Sequence, residues 1–209
     1  MKLKDALVGF VIGDALGVPV EFFSRDELKE KPVKEMRGYG TYNKPPGTYS
    51  DDTSLTIATL DSLIQNIDFV DYERIMNSFV RYLKGEYTQY SEMFDIGKAT
   101  YSAILKYIDG CNPLKCGGID ERSNGNGSLM RMIPIVFYID ELCDKKEIYY
   151  SIVENLSALT HNHDISKIAC VFYVELSISL LNKSLSYSLA FNNIASVASW
   201  TALSSISIP

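Results

Sequence analysis

The chain has 209 residues, of which 46% are hydrophobic and 22% charged, and carries a formal net charge of -6. That length holds one well-buried core and no low-complexity linker divides it, so a single domain over residues 1–209 is expected. The acidic balance argues against a general nucleic-acid or membrane-surface binder, and no apolar run approaches the roughly 20 residues that span a bilayer, which leaves small molecules or proteins as partners.

Leu3, Ala6, Leu7 and Phe10 open the chain at helical spacing. Asp5 and Asp14 flank the run Ala6 to Ile12, and no small-residue cleavage site follows, so a secretory signal is not expected. Gly13-Asp14-Ala15-Leu16-Gly17 ends this helix. Asp14 reads either as a turn cap or as an acid with a partner elsewhere. Glu21 stands beside Phe22 and Phe23. A carboxylate in such company pairs, binds metal, or has a raised pKa suited to proton transfer.

Arg37 to Gly47 is a loop rich in Gly, Pro and Asn, and Gly47-Thr48-Tyr49-Ser50-Asp51-Asp52-Thr53 leads from it into the next helix. Ser and Asp there cap the first turn and complement its dipole. The same oxygens also suit a hard cation such as Mg²⁺ or Mn²⁺. Leu60, Leu63, Ile64 and Ile67 continue this helix, and Tyr72, Ile75, Met76 and Phe79 define another entered through Asp71. Tyr101, Ile104, Leu105 and Ile108 repeat the pattern, followed by a loop over Gly110 to Gly118.

Ser123-Asn124-Gly125-Asn126-Gly127-Ser128 is a Gly-rich turn running into Leu129, Met132, Ile133 and Val136, where Pro134 bends or shortens the helix unless it lies in the first turn. Such turns bring backbone close to a ligand, and helix starts offer N–H groups to phosphate. Arg131 adds a charge, read as a ligand contact or as a solvated or paired side chain. His161 and His163 share one loop before a helix marked by Ile165, Ile168, Ala169 and Phe172. Cys111, Cys116, Cys143 and Cys170 are too sparse for a disulfide scaffold, which suggests reduced thiols and a cytoplasmic setting, and their spacing with the two His lacks a zinc-finger pattern. Alternation of period two is scarce, so an all-α, compact multi-helix domain is expected.

Five blocks, in order, resemble the ADP-ribosylglycohydrolase family, which includes the dinitrogenase reductase-activating glycohydrolases. They are Gly13 to Gly17 with Glu21, Gly47 to Thr53, Phe94-Asp95-Ile96-Gly97, Asn124 to Arg131, and Leu159-Thr160-His161. The resemblance covers about residues 1–181. It implies an all-α, metal-dependent hydrolase that uses two Mg²⁺ or Mn²⁺ ions to cleave the glycosidic bond between ADP-ribose and a modified protein or metabolite. Carried over by position, Ser50, Asp51 and Asp52 resemble metal ligands, Glu21 the acid at metal or substrate, and Asp95 a water-orienting acid. Asn124, Gly125, Asn126, Gly127 and Ser128 resemble the loop that cradles the diphosphate and distal ribose, and His161 a residue of the cleft wall.

The family's second acidic cluster, of the type Asp-x-Asp-Thr/Ser near the C-terminus, has no counterpart here. After Asp164 the only carboxylate side chain is Glu175, and from Ser184 onward the chain is uncharged. Residues 182–209 therefore read as a divergent tail, and the chain as the first two-thirds of the fold with a divergent or truncated end. Two functions follow as expectations: a metal-dependent ADP-ribosyl hydrolase, or an impaired relative that binds ADP-ribose or a related nucleotide without efficient turnover. Loss of the last helices of the fold would leave apolar faces exposed, so low stability or self-association is expected. Serine, arginine and nucleic-acid linkages all stay open as substrates.

Overall fold

The computed structural model describes residues 2–142 and 146–182, so Cys143 and the tail lie outside the described residues. Among the described residues there are eight α-helices and no β-strand: α1 Lys2–Gly17, α2 Arg25–Glu30, α3 Asp51–Gln65, α4 Tyr72–Leu83, α5 Lys98–Ile108, α6 Ile133–Leu142, α7 Lys146–Ala158 and α8 Asp164–Leu181. The expected all-α architecture is observed.

Helix starts follow local chemistry. Ser24 and Glu27 close a reciprocal capping box on α2, which explains how a short, wholly surface helix forms in a polar segment. Asp71 caps α4 by accepting from the Arg74 N–H at 3.0 Å. Pro134 is the second residue of α6, where its missing N–H would have no intrahelical partner, so the helix begins there rather than bends. A 3-10 turn over Leu129–Arg131 precedes it.

Helix α3 runs through the middle, packed against α1, α4, α6 and the Leu129–Arg131 turn. Its interior is unusually polar: Thr53, Ser54, Thr56, Thr59 and Ser62 are all buried. Buried hydroxyls are tolerated when satisfied. Ser54, Thr56, Thr59 and Ser62 each bond the carbonyl one turn back, at 2.9, 2.7, 2.8 and 2.9 Å. The apolar core gathers around it from Leu55, Ile75, Phe79, Ile104, Ile135, Leu156, Leu159 and Val171.

Periodicity placed some faces wrongly. Ser166, Cys170, Val171 and Val174 form the buried side of α8, whereas Ile165 is exposed. In α5 the buried residues are Thr100, Ala103 and Ile104, and Tyr101, Leu105 and Ile108 are exposed. Apolar residues occur on several sides of these helices, so spacing alone does not select the inward one. Val8 and Ile12 of α1 also face outward.

Candidate active site

Asp14 is the hub of the first half of the site. Its carboxylate accepts from the Ser50 N–H at 3.0 Å, the Ser50 hydroxyl at 2.8 Å, the Thr53 N–H at 3.1 Å and the Thr53 hydroxyl at 2.6 Å. An acid leaving α1 thus satisfies orphan donors at the start of α3, where the helix dipole favours negative charge. Ser50 is the N-cap of α3 and accepts from the Asp52 N–H at 3.2 Å. Capping is therefore real, and one lone pair of the Ser50 oxygen remains for a further contact.

Asp51 and Asp52 follow in the first turn and face a cleft of about 600 Å³ lined also by Asp14, Glu21, Ser50 and Asp95, with no Lys or Arg among the described residues of its wall. Asp51 is 7% exposed and accepts from the Gly97 N–H at 3.4 Å. Burial, then the charges of Asp95 and Asp52, push its carboxyl up to about 7. Burial and the charges of Asp14, Asp95 and Glu21 raise Asp52 to about 6. Glu21 is also raised, first by burial and then by Asp95 and Asp14, against a hydrogen bond from Tyr42. Asp95 sits at φ 55, a left-handed conformation unfavourable to most residues. Its backbone is held there by the Tyr82 hydroxyl, which donates to the Asp95 carbonyl and, at 2.6 Å, to that of Phe94. The Tyr42 hydroxyl donates to the Asp95 carboxylate at 3.2 Å.

The second half is built from the loop over residues 124–128. Asn124, Gly125 and Asn126 are exposed and Gly127 half-buried, whereas Ser128 turns inward to lie 2.9 Å from the Ser157 hydroxyl and 3.4 Å from Cys170 Sγ. His161 lies beneath this loop, 3% exposed, with Nδ1 2.8 Å from the Thr160 hydroxyl. A Cβ on Gly127 would stand 2.8 Å from His161 Cε1 and 3.0 Å from Thr100 Oγ1, so only glycine lets the backbone cross the ring. Burial, then the Arg131 charge, push the imidazole down to about 4 and keep it neutral. Asn162 N–H donates to the Gly118 carbonyl at 2.9 Å, tying the preceding loop to the same point. His163 is the N-cap of α8 and accepts from the Ile165 N–H at 3.2 Å.

The two halves meet through α5 and α3. Gly97 and Thr100, at the start of α5, touch Asp51 and the Gly127 position respectively. The Thr56 hydroxyl of α3 donates to the Met130 carbonyl at 3.0 Å. Asp14 was open to a capping reading from the sequence but not assigned to the site; its partners lie 36 and 39 residues away, so spacing could not reveal them. Glu175 accepts from the Tyr150 hydroxyl at 2.7 Å and is not part of the cleft wall.

The donor chemistry at the cleft fits a hard divalent ion, being all oxygen and rich in uncompensated negative charge. Among the described residues, however, no group of three or more His, Cys, Asp or Glu side chains is arranged to hold an ion by itself. Among the described residues, Cys111, Cys116 and Cys170 form no disulfide.

An all-helical domain with an acidic cleft at one helix start and a glycine loop nearby is the arrangement that the five sequence blocks led one to expect. The match to the ADP-ribosylglycohydrolase family extends over residues 1–205, and the chain belongs to that family. It is 32% identical over 171 residues to an ADP-ribosylarginine hydrolase of Pseudomonas putida, covering 81% of this chain and 44% of that protein. It is 28% identical over 172 residues to the ADP-ribosyl-[dinitrogen reductase] glycohydrolase of Rhodospirillum rubrum, covering 81% and 54%. A solved structure described as an ADP-ribosylglycohydrolase-related protein complex superposes with a TM-score of 0.69 at 29% identity, covering 85% of this chain and 55% of that one. The chain thus spans about half the length of the relatives it matches. Among the described residues no helix is long and apolar enough to cross a membrane.

Proposed function

We propose that this chain supplies the acidic and loop halves of a metal-dependent site that hydrolyses the glycosidic bond of ADP-ribosylated proteins or small ADP-ribose conjugates. The observation that carries the reading is the convergence of Asp14, Glu21, Asp51, Asp52 and Asp95 on one cleft, where the described residues supply no basic side chain. Ser50, Asp51 and Asp52 would hold Mg²⁺ or Mn²⁺, with Asp14 orienting Ser50. When bound, the ion supplies Lewis-acid polarisation and a template for ribose hydroxyls. The loop over 124–128 would hold the diphosphate and distal ribose, with its backbone kept flat by His161. Glu21, its carboxyl raised by burial, is the group suited to exchange a proton at the reacting sugar, and Asp95 would orient the attacking water.

A second reading, ligand binding without efficient turnover, is favoured by the partial donor set that the described residues offer an ion. Turnover of ADP-ribosylated arginine or serine peptides by purified protein, lost in Asp51→Ala, would decide for hydrolysis. Metal-stimulated ADP-ribose binding without turnover would decide for the second reading. Arginine is the first linkage to test, because it is the one named for the Pseudomonas putida relative.

A further inference from the structure

Arg131 is 0% exposed, and among the described residues it has no ion-pair partner. Its Nη1 donates to the Gly127 carbonyl and its Nη2 to the Leu156 carbonyl, each at 3.0 Å. The guanidinium stands 4.9 Å over the Phe79 ring, and Nε has no hydrogen-bond partner. An unpaired buried charge is costly, and an apolar side chain of similar volume would fill the space at lower cost. Burial lowers the Arg131 pKa only to about 10, so the group stays charged at neutral pH. The neighbouring imidazole of His161 is neutral and offsets none of it.

The guanidinium therefore stands directly behind the peptide that joins Gly127 to Ser128. In a trans peptide the C=O and the following N–H point in opposite directions. With the Gly127 carbonyl turned inward to Arg131, the Ser128 N–H points away from it, and the buried charge polarises that peptide toward a stronger outward donor. The same side chain draws Gly127 and Leu156, from the loop and from α7, to one point.

We propose that Arg131 is a positioning residue that fixes the 124–128 loop onto α7 and, through its unanswered charge, makes that loop selective for an anionic group. The identity of that group as the diphosphate of ADP-ribose rests on the function proposed above; the positioning of the loop does not. Three measurements on the whole chain test it in wild type, Arg131→Lys and Arg131→Met, each first shown to melt cooperatively: ADP-ribose affinity by calorimetry, the His161 pKa by NMR, and hydrogen exchange at residues 125–129 without ligand.

Arg131→Met should weaken ADP-ribose binding about tenfold or more, as expected for losing one charge a few ångströms from a diphosphate. It should also raise the His161 pKa and speed exchange in the loop. Arg131→Lys should recover most of the affinity and the low His161 pKa while exchange stays faster than wild type, because charge is restored without the two-carbonyl fork. A folded Arg131→Met with wild-type affinity and exchange overturns the inference, as does an Arg131→Lys variant as weak as Arg131→Met, which would reduce the residue to packing. Absence of ADP-ribose binding by the wild type would instead defeat the functional reading, and unchanged loop exchange in both variants would then still overturn the positioning role. If Arg131→Met does not fold, the Lys variant decides: affinity and His161 pKa near wild type with faster exchange support the inference, and loss of both overturns it.

Discussion

The acidic cleft and the loop over 124–128, which does not line it, carry opposite electrostatic burdens. At the start of α3, burial and crowded carboxylates push Asp51 up to about 7 and Asp52 to about 6, so negative charge is held there unwillingly. At the loop over 124–128, a buried cation is lowered to about 10 and the imidazole beside it to about 4, so positive charge is disfavoured there. Each half lacks a counter-charge of its own, and each would be relieved by a ligand of the opposite sign. A divalent ion at the first and a diphosphate at the second satisfy both, whereas a neutral ligand would satisfy neither.

The largest expected effect breaks the acidic half alone. Asp51→Ala should lower any metal-dependent turnover by about a hundredfold or more, since one removed ligand and one removed charge act together. The assay is hydrolysis of an ADP-ribosylarginine peptide in Mg²⁺, and activity retained in the variant would detach Asp51 from the chemistry. Next comes the loop half. In Gly127→Ala the added Cβ would lie 2.8 Å from the His161 ring, so the loop must shift and ADP-ribose affinity should fall about tenfold, with a stability loss of about 1–3 kcal/mol. Calorimetry and urea unfolding check it; an unchanged variant would show that the loop moves freely.

Asp14→Asn probes the join between helix and ion site. The amide keeps one acceptor oxygen but turns an NH₂ toward donors now bonded to the carboxylate, and a stability loss of about 1–3 kcal/mol is expected in urea unfolding. Stability equal to wild type would mean that Asp14 is not the hub it forms here.

Much of this arrangement was legible in the chain. Ser50-Asp51-Asp52 announced a helix start, Gly127 a close backbone approach that is made here to the His161 ring, and Pro134 fell in the first turn as its chemistry allows. What spacing could not supply was depth. Arg131 read as a ligand contact or as a solvated or paired side chain, and it is buried with two backbone carbonyls as partners. His161 was expected in the cleft wall and lies under the loop, a distinction that depends on how α8 and the loop stack rather than on local sequence. The Ser24-Glu27 capping box is a helix signal in the sequence, but no apolar run follows it to mark α2.

The smallest effect is in pH dependence and separates the Asp51 charge from everything else. Its folded pKa lies above the ordinary 3.8, so the stability it contributes is fully present only below about 3.8 and is lost progressively as pH rises from there through about 7. Without divalent ions, the stability advantage of Asp51→Asn over wild type should therefore widen by about 1–3 kcal/mol between pH 5 and pH 8. Equal melting at both pH values would show that Asp51 ionises without penalty, and the contrast between the halves would weaken.

The most direct test of the central claim is calorimetric titration of ADP-ribose into the whole chain, once with Mg²⁺ or Mn²⁺ and once with chelator. Opposite charges answered by one metal–nucleotide ligand predict measurable binding with the ion and binding about tenfold or more weaker without it. Affinity indifferent to the ion, or no binding under either condition, would contradict the account.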